Sequence, residues 1–197
     1  MDLGKAIKEA IDVYSKNFQT LFVAGLIATV LFCLTLGILA GPLMGGFLML
    51  VLKVMRNEKG EFNEIYNYFD KFVPLFVTTL ICFVLMMIIG IIPFLNPILG
   101  YLVNPVIAFI WAMAVIKIIE KNLAPAEALK EAVEMVKDYL FPVWLYSLVM
   151  SIIGCVGFIV FIIGGLVTVP ITCVGMAVAY KELTTPVSVS GNWGFDG

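Results

Sequence analysis

All twelve Lys and Arg residues fall in four short stretches: before Phe18, between Lys53 and Lys71, between Lys117 and Lys137, and at Lys181. The runs that separate them, Phe18 to Leu52, Phe72 to Ile116 and Leu140 to Tyr180, contain no charged residue over 35, 45 and 41 positions. Uncharged apolar runs of this length are the mark of membrane-spanning helices, because in lipid the backbone must satisfy its own hydrogen bonds. The whole chain is 62% hydrophobic and 13% charged, against about a quarter charged in soluble domains. An all-α integral membrane fold is the class this predicts.

Each run also has an uncharged connection near its middle, around Gly37 to Pro42, Gly90 to Pro105 and Gly164 to Pro170. Each run is therefore a hairpin, and six transmembrane helices follow, with every Lys and Arg on one face. The positive-inside rule makes that face cytoplasmic, so the expectation is a multi-pass plasma-membrane protein with both termini in the cytoplasm. Net charge is only -2, and no basic tract is dense enough for nucleic acid.

The hairpins follow one plan. GPLMGGFLMLVLKVMR, Gly41 to Arg56, starts at a helix breaker and ends where Lys53 and Arg56 reach water. Pro105 to Lys117 and Pro170 to Lys181 repeat it, with eleven, twelve and eleven steps from proline to lysine. Ahead of the first hairpin, AIKEAIDVYSKNF (Ala6 to Phe18) aligns without gaps on ALKEAVEMVKDYL (Ala128 to Leu140) ahead of the third. Leu3, Ile7, Ile11, Tyr14 and Phe18 recur at helical spacing, so this block predicts an amphipathic interfacial helix. A shorter counterpart, Phe62, Ile65, Tyr66, Phe69 and Phe72, precedes the second hairpin. Three units result, 1–57, 58–121 and 122–184, in a single membrane domain 1–184 with a flexible cytoplasmic tail 185–197. Pro42, Pro105 and Pro170 are expected at the hairpin turns.

At 1.5 Å per residue the three runs supply about 52, 68 and 62 Å of helix. Two crossings of a hydrocarbon core need about 60 Å. The first hairpin is therefore short. Small residues one turn apart, Gly41 and Gly45, Ala108 and Ala112, Gly175 and Ala179, are expected to pack the three second arms together at the bundle centre, since close backbone approach drives association in lipid.

The chain offers little chemistry. It has no histidine, and its four cysteines sit singly in apolar runs, so neither a disulfide framework nor a metal site is expected. Between the charged belts no ionisable residue exists for a proton relay. The hydroxyls of Thr29, Thr35, Thr78, Thr79, Ser147, Ser151 and Thr172 can bond to their own helix carbonyls. Glu120, Glu127, Glu131, Glu134 and Asp138 alternate with lysines at helical spacing, the pattern of a solvated face rather than a catalytic cluster.

The run KAIKEAIDVYSKNFQTLF, together with AGPLMGGFLMLVLKVMRNEKGEFNEIYNYFDKF, resembles the uncharacterised six-helix integral membrane proteins of bacteria and archaea. It is similar as well to the membrane region of membrane-anchored glycerophosphoryl diester phosphodiesterases. The resemblance covers the plan of residues 1 to 184 and implies a membrane module; the soluble domain that carries the phosphodiesterase reaction has no counterpart here. The expected function is non-enzymatic and cofactor-free: organising membrane lipids, its main partners, or binding protein partners or itself in the membrane. The alternative is a transporter or channel for an uncharged or lipid-like solute.

Overall fold

The computed structural model describes residues 3–35, 37–91, 97–137, 139–160 and 162–184. The expected tail 185–197 lies outside the described residues. All regular structure among the described residues is helical: α1 (Leu3–Lys16), α2 (Phe18–Leu34), α3 (Ala40–Met55), two short 3-10 turns (Phe62–Tyr66 and Phe69–Lys71), α4 (Phe72–Ile91), α5 (Pro97–Lys121), α6 (Pro125–Lys137), α7 (Leu140–Val160) and α8 (Ile162–Thr184). Two stretches, Phe62–Ile89 and Val103–Lys121, are long and apolar enough to cross a membrane, and up to four spans exist among the described residues if the bent pairs α1–α2 and α6–α7 each count as one.

Helix α1 meets α2 at 92°, and α6 meets α7 at 103°. Both outlying helices bury a stripe at spacing four: Ala6, Ala10 and Tyr14 on α1, and Ala128, Ala132 and Val136 on α6. Other large residues stay open: Ile11 on α1 and Phe18 at the start of α2, Val133 on α6 and Leu140 at the start of α7. The sequence pattern merges the two sets into one apolar face. They separate because two alanines let each helix lie close against the bundle along one narrow stripe, which Tyr14 and Val136 complete.

The α2–α3 connection turns at Gly37, whose φ of +83° is open to glycine at little cost; its N–H donates to Phe32 O at 2.9 Å. Pro42 sits in the first turn of α3, where no N–H is needed. At the other end Asn57 takes a left-handed φ of 60°. Its N–H donates to Val54 O, and that of Glu58 to Lys53 O, so two carbonyls of the last turn of α3 are satisfied.

Pro105 and Pro170 correct the expectation of three equivalent hairpin turns. Each lies inside a helix, α5 and α8, which begin at Pro97 and Ile162. A proline in a helix forfeits one hydrogen bond, whereas a turn in lipid would strip several backbone groups of partners. Within the uncharged connection Gly90 to Pro105, helix resumes at Pro97, and residues 92–96 lie outside the described residues. The second counterpart of α1 also differs: Phe62–Tyr66 and Phe69–Lys71 form 3-10 turns, not an α-helix.

One buried cluster joins α3 to the later halves of α5 (Phe109 to Ile119) and α8 (Cys173 to Tyr180). These three segments touch one another pairwise. Helix α4 lies outside them and exposes Val73, Leu80, Phe83, Met87 and Ile88. The segments that end in charge are thus inside, and an arm with no charge is outside.

Candidate functional site

The central arms each carry a lysine near their last turn, Lys53, Lys117 and Lys181, at equal steps of 64 residues. Each lysine reaches a carboxylate on an outlying element: Lys53 to Glu64 at 2.7 Å, Lys117 to Glu131 at 2.7 Å and Lys181 to Glu9 at 2.8 Å. The residue after each glutamate, Ile65, Ala132 and Ala10, is fully buried. Each outlying element thus buries the apolar side chain next to its glutamate and presents the carboxylate to the lysine. Two pairs join neighbours in the sequence. The third spans 172 positions and ties the last helix to the first, closing a ring.

Inside the ring a single carboxylate joins all three central arms. Glu120 at the end of α5 accepts from Arg56 of α3 at 3.0 Å and from the Tyr180 hydroxyl of α8 at 2.6 Å. Lys71 donates to Ile119 O at 3.0 Å, supplying one of the terminal carbonyls of α5 with a partner. Lys121 adds a second cation to Glu131 at 2.9 Å.

The three ring pairs differ in burial. The Lys117 side chain is 7% exposed, against 35% for Lys53 and 47% for Lys181. Exposed pairs are screened and contribute little, whereas a buried cation needs its partner. Hydrogen bonds from Lys117 and then Lys121 pull the Glu131 carboxyl down from 4.5 to about 2. A depressed carboxyl stabilises the fold above its unfolded pKa and loses that contribution as pH falls towards the folded value. Thermal unfolding in detergent should therefore show a loss of stability between about pH 4.5 and 2, and Glu131→Gln should flatten that part of the profile. An unchanged profile in the variant would assign the acid loss to other groups.

The small residues of the sequence pattern do not share one interface. A Cβ on Gly41 would lie 2.6 Å from Leu75 O of α4, and one on Gly45 would lie 2.8 Å from the Ile119 side chain of α5. Gly175 faces α7: a Cβ there would meet the Met150 side chain, and Tyr146 donates to Gly175 O at 2.7 Å. Ala112 and Ala179 are buried, and Ala108 is half-buried against the same core. Two further glycines escape the small-residue spacing. Gly46 admits the Ile65 backbone so closely that a Cβ would overlap it, and Gly25 of α2 holds the Pro170 ring in the same way.

No family model, curated protein or solved structure matches this chain. What can be said of chemistry therefore rests on the side chains themselves. Among the described residues no group of three His, Cys, Asp or Glu side chains could hold a metal. Glu9, Glu64, Glu120 and Glu131 are each engaged by a cation within 3.0 Å, an arrangement that ties helices together. Thr29, Thr78, Thr79 and Ser147 donate to carbonyls four residues back in their own helices, and Thr35, just past α2, donates to Leu31 O. Thr79 also accepts from the Trp111 indole at 3.0 Å, joining α4 to α5.

Proposed function

We propose that this chain is an integral plasma-membrane protein of three repeated units and six transmembrane helices, acting as a non-enzymatic organiser of the surrounding lipid. In this reading α1, the 3-10 turns and α6 form an amphipathic collar at the cytoplasmic face, and both termini lie on that side. The observation that carries it is the ring of three lysine–glutamate pairs, whose lysines recur every 64 residues and which holds the collar against the central arms. Ile11, Phe18, Val133 and Leu140 are then the collar's outward apolar edge, set where acyl chains begin. Kinship with the six-helix integral membrane proteins of bacteria and archaea belongs to the same proposal.

Arm lengths support a wedge. The first hairpin has arms of 17 and 16 residues, about 25 and 24 Å, below the ~30 Å of a hydrocarbon core. Those of the second have 20 and 25 residues and those of the third 21 and 23, about 30 to 38 Å. A short side thins the bilayer next to it. Ile38, in the α2–α3 turn, is 55% exposed and is the place to test this, since Ala40 is buried.

Reconstituted protein carrying Ile38→Cys in place of the native cysteines is expected to change vesicle shape or lipid order. Its new thiol should resist an impermeant maleimide from either side. Unchanged vesicles would sink the organising reading, and full labelling from outside would remove the short hairpin as its cause.

A further inference from the structure

Between α5 and α6 runs a groove of about 510 Å³, within the range of small-molecule sites. Its apolar lining includes Ile110 of α5, Val133 and Val136 of α6 and Leu140 of α7. Lys130, Glu134 and Lys137 stand along its rim. The lysines are seven residues apart, two helical turns, and so lie on one side of α6 about 10 Å from each other. Neither forms an ion pair among the described residues, although Lys117 and Lys121 nearby share Glu131.

The equivalent positions of the other two units carry different residues. Between α3 and the first 3-10 turn, Gly46 stands where Ile110 stands in α5, and the Ile65 backbone occupies the space. Between α8 and α1, the fully buried Val174 takes the Ile110 place. There Tyr14 and Phe18 replace Val136 and Leu140, with Tyr14 edge-on to Phe18 and Phe18 stacked on Phe22. Smaller aliphatic residues leave the α5–α6 crevice open, on the side where Val133, Leu140 and Phe141 are exposed.

We infer that this groove binds one phosphatidylglycerol molecule, an acyl chain along its apolar floor and the phosphate between Lys130 and Lys137. The inference rests on the reading that α6 lies at the membrane surface. Lysine stems cross apolar surface while their ammonium groups stay at headgroup level, where each attracts anionic lipid. Glu134 sits between the two cations and accepts from the headgroup hydroxyls. A choline headgroup has no donor to offer it, so the site discriminates by hydrogen bonding as well as by net charge.

Native mass spectrometry of the full chain in detergent, with phosphatidylglycerol or phosphatidylcholine added, tests this. One phosphatidylglycerol should be retained in preference to phosphatidylcholine. Lys130→Gln with Lys137→Gln should weaken retention about 25-fold, roughly fivefold per lysine. Val133→Trp, which fills the groove and keeps both lysines, should also release the lipid, while Lys8→Gln with Lys16→Gln should not. Equal retention of the two lipids, or undiminished retention in both groove variants, overturns the site. Vesicle remodelling that persists in that case leaves the organising function standing, so the two readings fail separately.

Discussion

Gly46→Ala is expected to be the most damaging single-methyl change in the chain, costing about 3 kcal/mol or more of stability. The added carbon would overlap the Ile65 carbonyl and Cα, both backbone atoms that cannot rotate away. Relief requires moving the 3-10 turn off α3, which would also pull Glu64 away from Lys53. Gly45→Ala, one residue earlier, meets the end of the Ile119 side chain, which can swing aside. Alanine's helix preference of about 1 kcal/mol offsets part of that cost, so this variant should stay within about 1 kcal/mol of the parent. Unfolding of both variants in mixed detergent would compare them directly; equal effects would mean that the turn moves freely and Gly46 is not a contact point.

Lys117→Ala is the second large effect, about 3 kcal/mol, because it empties a buried volume and removes the ring's most enclosed cation. Lys117→Met should recover most of the loss: it refills the space, and Glu131 keeps Lys121 at 2.9 Å. Lys181→Ala, at the half-exposed pair with Glu9, should cost at most about 1 kcal/mol. The ring is therefore held unevenly, with its weakest ion pair where the last helix meets the first. A methionine variant as unstable as the alanine one would show that the charge, not the packed stem, carries the stability. Both outcomes are measured by the same unfolding experiment.

The uneven ring fits the lipid-organising proposal. A collar held by three pairs keeps its apolar edge at one depth, and the site proposed in the α5–α6 groove would hold a lipid against it. Glu120 plays a different part. With Arg56 and Tyr180 it joins the ends of the three central arms, so changes there should act on the bundle as a whole.

Much of this was written in the order of residues. Long uncharged runs predict helices, because an apolar stretch in lipid has no other way to satisfy its backbone. The positions of Lys53, Lys117 and Lys181 mark where the central arms end, and the run from Phe18 to Leu52 is visibly shorter than the other two. These features depend on local composition and spacing, which a linear reading captures. The tertiary structure decided the rest. Pro105 and Pro170 read as turns, yet helices run through them, and the Pro170 ring packs against Gly25 of a distant arm. The outlying helices bury two alanines each, with Tyr14 on α1 and Val136 on α6 completing the stripe, while Ile11 and Val133 stay open, because the bundle contact selects one narrow side of each helix. Spacing along the chain marks Lys181 and Glu9 as charged but cannot pair residues 172 positions apart; closing the ring required the three arms to pack around a common centre.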